Sequence, residues 1–260
     1  MNTAGMNTAG RFAADRFAPD GGAQLLIVGA GGFARETAQA VAAINAVRPT
    51  WRLLGFLDDD PLLHGRRVDG LPVIGGTDLV DSLPQAHLVV CVGNPSNYFA
   101  RTRIVDRLGV AAERYATIVH PSASVSDSSS AGPGSVILAQ SVLTASVEVG
   151  AHVAVMPHAV LTHDVKIADF ATIAAGVRFG GAVKVERGAY LGSGALIREH
   201  LVVGAWSLVG MGSVVLRDVP AAQVWAGNPA RLLRKLDSVA DADTGTAAAA
   251  SAADRAWRTG

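Results

Sequence analysis

The residues of this sequence best suited to acid–base chemistry are a histidine and an aspartate that follow one another, His163 and Asp164. An imidazole accepts a proton near neutral pH, which suits the deprotonation of an attacking amine or hydroxyl. Asp164 could hold the resulting imidazolium and raise the basicity of the ring. Adjacent side chains on a strand point apart, so this pairing requires a corner in the chain. The alternative is a solvated histidine in a turn.

A glycine-rich turn is the second candidate site. Residues Gly29–Ala34 read GAGGFA, which fits the pattern G-x-G-x-x-[GA], and they follow an apolar segment and open a helical one. Backbone N–H groups at such a helix start favour phosphates. Asp58 and Asp59 end the next apolar segment, where acids accept hydrogen bonds from ribose hydroxyls or a base. Alone, this motif indicates NAD, and a purely structural role for the glycines is the alternative.

Composition limits the class of protein. The 260 residues carry 22 basic and 22 acidic side chains, and this balance argues against a nucleic-acid surface. A single cysteine, Cys91, excludes an internal disulfide framework and fits a reducing compartment. No apolar run approaches the length of a membrane helix, and the polar N-terminus has no signal-peptide core. We therefore expect a soluble cytoplasmic protein with two domains.

The first domain alternates between strand and helix. Residues 1–22 and 237–260 are rich in small and polar residues without periodicity, so we expect a disordered leader and a disordered tail. Between residues 23 and 116, apolar segments that end in Gly turns or acids alternate with helical patterns. This rhythm predicts a Rossmann-like α/β domain, a parallel sheet covered by helices.

From Val119 the pattern changes to a six-residue repeat, seventeen hexads that continue without insertion through residue 220. The first position is large and apolar in all hexads but one, and the position four later is mostly Ala, Ser or Val. Both face the same side of a short strand, so each hexad buries a large and a smaller side chain and then turns. Such a chain builds a β-solenoid. The first-position residues are Val119, Val125, Ala131, Ile137, Leu143, Val149, Val155, Leu161, Ile167, Ile173, Phe179, Val185, Leu191, Ile197, Val203, Val209 and Val215.

Five motifs stand around the hexads in chain order: VGAGGFARE, GFLDDD, VGNPSNYFAR, IVHPSA and GNPARLLRKL. With them the chain resembles the bacterial sugar acyltransferases related to sialic acid O-acetyltransferases and UDP-4-amino-sugar N-acetyltransferases, over about residues 24–236. The resemblance implies a Rossmann-like domain for a nucleotide sugar at 23–116 and a trimeric β-helix for acetyl-CoA at 117–220. It implies that this helix is left-handed, with three hexads per 18-residue coil, and that residues 221–236 form a C-terminal cap.

The resemblance also assigns a role to the histidine. Residues His163–Ala168 match the family segment H-[ED]-C-x-I-G, although Val165 and Ala168 replace its Cys and final Gly. His163 is then the general base, with Asp164 as its partner, and the acceptor attacks the thioester directly. An 18-residue coil sets His163 between Ala145 and Gly181, which leaves an open notch beside the ring.

Small residues recur at the same 18-residue interval, at 174–176, 192–194 and 210–212. Stacked in this way, they would form a groove that suits a slim pantetheine arm. The alternative is that these small residues only allow the chain to make tight turns. The resemblance implies acetyl-CoA contacts at Thr172, where many relatives carry His, and at Gly181, Ser193, Met211 and Arg231. An amphipathic capping helix is the alternative for the segment around Arg231. For the nucleotide sugar the resemblance implies Gly31, Gly32, Phe33, Asp58, Asp59 and Gly93.

Two rival functions remain open. His158 and His163, with His152 and His120, are similar to the zinc ligands of hexapeptide-type carbonic anhydrases. The position of the remaining ligand is Ser122 here, so we expect no metal. The second rival is a nucleotide-binding protein that carries a structural β-helix and has no turnover.

The position before each repeat points outward and is often apolar. Val142, Val160, Leu196 and Val214 are separated by multiples of 18 residues and therefore stack on one face. This apolar surface is too extensive for a monomer. The resemblance implies three subunits, so we expect a homotrimer whose sites lie between subunits.

Overall fold

The computed structural model describes Phe17 and residues 21–236. The predicted disordered leader and tail therefore lie outside the described residues, except at Phe17, Gly21 and Gly22. Phe17 is buried, and its carbonyl accepts a hydrogen bond of 2.7 Å from the N–H of Leu53. At Phe17 the prediction of disorder is wrong, because the ring packs into the core of the first domain.

The first domain is built on a five-stranded sheet with the strand order β3-β4-β2-β1-β5. β1 pairs in parallel with β2 and β5, and β2 pairs in parallel with β4. Only β3, at the edge, is antiparallel to its neighbour. The strands are β1 (Ala23–Val28), β2 (Trp51–Leu57), β3 (Arg67–Val68), β4 (Leu71–Gly75) and β5 (His87–Val90). The α-helices are α1 (Gly32–Val47) and α2 (Ala100–Leu108), and short 3₁₀ turns cover Pro61–Leu63, Thr77–Val80 and Ala112–Arg114. The central strands are buried, as expected of an apolar parallel sheet.

The second domain is the predicted left-handed β-helix. Each two-residue strand ends on the repeated apolar residue and pairs in parallel with the strand 18 residues away, as Val142 does with Val160. The buried small residues pack against the large ones in one continuous core. The strands are β6 (Ile118–Val119), β7 (Ser124–Val125), β8 (Ser130–Ala131), β9 (Val136–Ile137), β10 (Val142–Leu143), β11 (Glu148–Val149), β12 (Ala154–Val155), β13 (Val160–Leu161), β14 (Lys166–Ile167), β15 (Thr172–Ile173), β16 (Arg178–Phe179), β17 (Lys184–Val185), β18 (Tyr190–Leu191), β19 (Leu196–Ile197), β20 (Val202–Val203), β21 (Leu208–Val209) and β22 (Val214–Val215).

These strands form three faces. Face 1 contains β7, β10, β13, β16, β19 and β22, face 2 contains β8, β11, β14, β17 and β20, and face 3 contains β6, β9, β12, β15, β18 and β21. Three stacks of turns join them: corner A leads from face 3 to face 1, corner B from face 1 to face 2, and corner C from face 2 to face 3. From Gly134 to Gly212, every sixth residue has a positive φ, whether it is glycine or not. These left-handed residues make the sharp turns of the prism.

A hairpin ends the described chain. β23 (Gln223–Gly227) continues face 3 in parallel with β21, and β24 (Ala230–Lys235) returns antiparallel to β23. The alternative of an amphipathic helix here is wrong, because the segment pairs with an open strand edge instead. Residues 231–235 are exposed.

The first domain covers face 3. Outward residues of this face, such as Ile118 and Val136, share a buried cluster with Leu25 and Ile27 of β1. Higher on the same face, Leu208 packs with Tyr98, which precedes α2. In the first coils, Leu138 and Met156 of corner A also pack against the first domain. The later coils of corner A are exposed at Ser193 and Met211, and corner B is exposed at His163, so these positions are accessible to ligands.

Candidate active site

His163 and Asp164 occupy corner B, between β13 and β14. Asp164 is one of the left-handed residues, with a φ of 61°. This turn brings the two neighbouring side chains together: Nδ1 of His163 lies 2.8 Å from Oδ2 of Asp164. Both side chains are exposed, at 64% and 61%. With the carboxylate accepting a hydrogen bond from Nδ1–H, the lone pair of Nε2 is left to accept a proton from a substrate.

Gly181 lies one coil away, against the ring of His163. A Cβ at Gly181 would overlap Cε1 and Nε2 of the imidazole. The notch that the sequence predicted beside His163 is therefore occupied by the imidazole ring itself, which packs against the backbone of Gly181. Gly181 has an ordinary backbone conformation, so glycine is needed here for space and not for its φ.

The small-residue stripe forms corner A. Gly176, Gly194 and Gly212 have φ values of 71°, 71° and 66°, and a Cβ at Gly194 or Gly212 would meet no atom within 4 Å. Ser193 is exposed, and Met211 is 72% exposed. The stripe therefore leaves the backbone of corner A accessible to a ligand chain.

Arg231 stands at one end of this groove. The hairpin turn before it stacks on the last turn of corner A, where the N–H of Gly227 donates to Oγ of Ser213 at 3.2 Å. Arg231 is exposed, and its Nη1 donates only to the carbonyl of Ala230. Its guanidinium is available to phosphates.

Thr172 lies in β15 on face 3, directly before corner A. Its side chain points outward, and its hydroxyl accepts a hydrogen bond of 2.8 Å from Nη2 of Arg101 in α2. The hydroxyl is therefore engaged at the junction of the two domains, and its contact with acetyl-CoA stays a prediction.

The predicted acceptor residues lie at the carboxyl ends of the first domain's strands. In the sheet, β1 lies between β2, the next strand along the chain, and β5, which the chain forms last. The strand order therefore reverses between β1 and β5. Ligands of open α/β sheets bind in the crevice at such a point. Gly29 closes one wall, since a Cβ there would lie 2.7 Å from Val92. Gly31 and Gly32 have no atom within 4 Å of a Cβ position, so nothing in the fold itself demands glycine at these two positions.

Gly93 forms the opposite wall of this crevice and is exposed, with a φ of 136°. Phe33 is half-buried and packs against the core of the first domain. The crevice between Gly31, Gly32 and Gly93 is therefore bounded mainly by backbone.

The two predicted carboxylates are already engaged. Oδ2 of Asp58 accepts a hydrogen bond of 2.9 Å from the N–H of Ala30 and so braces the glycine turn. Asp59 pairs with Arg107 of α2 at 2.5 Å and accepts two hydrogen bonds from Thr77. Partial desolvation acts to raise the pKa of Asp59, but the bonds from Thr77 and Arg107 outweigh it and lower this pKa below its usual value. Asp58 and Asp59 thus hold the crevice in shape.

The histidines of the zinc alternative do not converge. His158 lies in corner A, His163 in corner B and His152 in corner C, while His120 bonds to Ser122 near the start of the helix. Among the residues that the structure describes, no three His, Cys, Asp or Glu side chains form a group that could hold a metal ion. A zinc hydrase has no ligand set in this part of the chain.

One residue that the sequence interpretation did not single out is Arg101. It is 2% exposed and joins the loop after β5 to corner C and face 3. Its position in the first turn of the helix after a Gly turn was the available signal, but nothing local marks an arginine as buried.

No helix among the described residues has the length and apolarity needed to cross a membrane. A family model described as the PglD N-terminal domain matches residues 24–108. GDP-perosamine N-acetyltransferase of Escherichia coli O157:H7 is 30% identical over 217 residues, which cover 80% of this chain and 96% of that protein.

Solved structures agree with this match. The acetyltransferase domain of PglB from Neisseria gonorrhoeae FA1090, in complex with acetyl coenzyme A, is 31% identical with a TM-score of 0.71, and the alignment covers 82% of this chain and 100% of that one. A mutant of perosamine N-acetyltransferase from Caulobacter crescentus, in complex with CoA and GDP-perosamine, is 26% identical with a TM-score of 0.72. That alignment covers 83% of this chain and 98% of the other.

Proposed function

Because the chain belongs to the PglD-type family of bacterial sugar acyltransferases, we propose that it transfers the acetyl group of acetyl-CoA to the amino group of a nucleotide-linked sugar. The chain is an acyltransferase with acetyl-CoA as its co-substrate. The nature of the acceptor is supported by the relative from Escherichia coli, named a GDP-perosamine N-acetyltransferase, and by the GDP-perosamine bound to the Caulobacter crescentus protein.

The contact between His163 and Asp164 is the observation that carries the mechanism. Nε2 of His163 takes a proton from the sugar amine as its nitrogen attacks the thioester carbonyl, and Asp164 stabilises the imidazolium. The carbonyl oxygen becomes an oxyanion, for which the exposed backbone of corner A offers N–H donors. Collapse of the intermediate breaks the C–S bond and releases the thiolate of CoA, which takes the proton from the imidazolium of His163 and so regenerates the base.

Direct attack fits the state of the cysteine. Cys91 is buried in the first domain, and burial raises the pKa of its thiol to about 12. A thiol in this state is a poor nucleophile. An acyl-cysteine intermediate therefore has no support, and one transfer step between the two substrates is sufficient.

The three faces of the β-helix support a trimer. Face 3 is covered by the first domain, and face 2 presents charged residues, including the pair formed by Lys166 and Glu148. Face 1 presents the predicted apolar stack, in which Leu196 is 41% exposed. The exposed Arg178 interrupts this stack between Val160 and Leu196, but the other outward residues from Val142 to Val214 are apolar. A mostly apolar, uncovered face beside a charged one favours burial of face 1 against other copies of the chain.

This packing also assembles the site. Within one subunit, corner A and corner B lie at opposite edges of face 1, so His163 does not reach the glycine groove of its own corner A. Around a threefold axis lined by face 1, corner B of one subunit faces corner A of the next. We place the acetyl-CoA groove of one subunit against His163 of its neighbour.

An assay with acetyl-CoA and a panel of acceptors tests the proposed function. The panel contains GDP-perosamine, UDP- and dTDP-linked amino sugars, free sialic acid and simple alcohols, with release of the CoA thiol as the readout. We expect turnover with at least one nucleotide-linked amino sugar and none with its N-acetylated form. Tight nucleotide binding without thiol release from any acceptor would instead support a binding protein.

A further inference from the structure

Arg101 is a buried cation without an anionic partner. Its side chain is 2% exposed between the two domains, and none of the ion pairs in the described part of the chain includes it. Burial lowers the pKa of Arg101 to about 10, which still leaves the guanidinium charged at neutral pH. A full positive charge is therefore held in a poorly solvated place.

Every hydrogen-bond acceptor of this guanidinium is neutral. Nη2 donates to the carbonyls of Phe170 and Ala171 at 2.9 and 3.2 Å and to Oγ1 of Thr172 at 2.8 Å. Nη1 makes only a long contact of 3.5 Å with the carbonyl of Val92, and Nε has no hydrogen-bond partner among the described residues. The guanidinium is positioned firmly, but its charge is not neutralised.

The charge lies directly beneath the proposed acceptor crevice. A Cβ on Gly93 would be 3.9 Å from Nη1 of Arg101, and Gly93 itself is exposed. The cation therefore lies next to Gly93, which borders the proposed crevice opposite the open Gly31 and Gly32. With no side chain at any of the three, an anion could approach closely.

A buried charge that lacks a counter-ion is costly, and apolar replacements at such positions are often neutral or stabilising. A ligand anion above Gly93 would offset this cost. We infer that Arg101 supplies the positive charge that holds the diphosphate of the nucleotide-linked acceptor over Gly93. This inference rests on the proposed function, because it assigns a charge to the acceptor site of that reaction.

Calorimetric titration of the full chain with UDP, GDP and dTDP, and with the corresponding nucleosides, tests the inference. The variants are Arg101→Gln, which keeps two donors but removes the charge, and Arg101→Lys, which keeps the charge. Arg187→Gln is the matched control, since Arg187 is an exposed arginine over the ring of Phe170 and lies outside the crevice. Acetyl-CoA binding and circular dichroism report on folding.

We expect Arg101→Gln to weaken the preferred diphosphate by roughly tenfold or more while nucleoside and acetyl-CoA binding stay within about twofold. Arg101→Lys should recover much of the loss, and Arg187→Gln should bind as the wild type does. Unchanged diphosphate binding in Arg101→Gln, or equal losses for diphosphate and nucleoside, would overturn the inference. The inference would also be overturned if neither Arg101 variant folded, because the guanidinium would then be needed for the packing of the two domains.

The two proposals fail differently. A wild-type chain that binds no nucleoside diphosphate contradicts the acceptor class of the proposed function, and the role of Arg101 falls with it. A wild-type chain that binds a diphosphate which Arg101→Gln binds equally well contradicts the role of Arg101 alone.

Discussion

The imidazole of His163 is held from two sides, by the carboxylate of Asp164 and by the surface of Gly181. The first contact fixes which ring nitrogen carries the proton, and the second fixes where the other nitrogen lies. Both contacts depend on a single backbone feature each, the left-handed turn at Asp164 and the missing Cβ at Gly181. Backbone features at Asp164 and Gly181 thus set the geometry of the proposed base.

Gly181→Ala tests whether the packing of the His163 ring against Gly181 matters for catalysis. The added methyl group would displace Nε2, so we expect kcat to fall by roughly tenfold or more while the melting temperature changes little, because misplacement of a catalytic group is costly. Ala182→Gly is the matched control in the same turn, where a positive φ tolerates glycine, and its kcat should stay near that of the wild type. A fully active Gly181→Ala enzyme would show that ring position is unimportant.

Asp164→Asn tests the partner of the imidazole. Asparagine tolerates the left-handed conformation, so the fold should survive the change. The imidazolium would lose its anionic partner, so we expect a lower kcat with acetyl-CoA binding unchanged. Steady-state rates provide the test, and a kcat equal to that of the wild type would mean that Asp164 does not act on His163.

At the scale of elements, the left-handed residues of corner C form a column that carries the first domain. The ring of His152 lies over Gly134, Phe170 stacks on His152 with centroids 5.0 Å apart, and the ring of Trp206 lies over Gly188. Aromatic and basic side chains of the first domain meet this column: Tyr115 at His152, Arg101 at Phe170, and Tyr98 and Phe99 at Trp206. Corner C, together with face 3, therefore fixes the proposed acceptor crevice relative to the β-helix.

His152 makes this junction sensitive to acid. Burial, with the nearby positive charges of Arg101 and Arg187, lowers the pKa of His152 from 6.5 to about 4. Between these values the unfolded chain binds a proton that the folded chain does not, so stability falls as the pH drops through this window. The expected loss reaches about 3 kcal/mol near pH 4 and is absent above pH 7.

Urea unfolding at several pH values tests this. In the variant His152→Phe, the free energy of unfolding should no longer fall between pH 6.5 and pH 4 through this residue. His200→Phe is the control, at an exposed left-handed position of corner B, and it should keep the pH dependence of the wild type. Equal pH dependence in wild type and His152→Phe would mean that His152 is not held neutral by the fold.

The elements that the sequence predicted and those it missed differ in their physical origin. The seventeen strands of the β-helix follow from local periodicity, since Ile173, Leu191 and Val209 each repeat the same inward position. The left-handed turn position has no such signature, because Gln140 and Trp206 adopt it as well as glycine does. The hydrogen bond from Arg101 to Thr172 is a contact between domains, and neither local sequence carries information about it.

At the scale of the whole molecule, the three faces differ in what they contact. Face 3 packs against the first domain, face 2 is charged and exposed, and face 1 is the proposed interface with other copies of the chain. Replacing Val160 and Leu196 together with Asp would place carboxylates in the proposed trimer interface. We expect inactive monomers that keep β-rich circular dichroism, because both side chains point away from the core.

The control for this pair is Lys166→Asp with Lys184→Asp on face 2, where both side chains are exposed and the trimer and its activity should persist. Sedimentation velocity distinguishes the two cases. An active wild-type monomer at assay concentration would contradict a site formed between subunits.

The central claim, that His163 is the base of an acetyl transfer, is tested most directly by one measurement: single-turnover acetyl transfer by His163→Ala with both substrates saturating. General-base catalysis contributes roughly 100- to 10,000-fold, so we predict a loss of at least about 100-fold with acetyl-CoA binding and assembly unchanged. A folded, assembled His163→Ala enzyme that keeps more than a few per cent of the wild-type rate would contradict the claim.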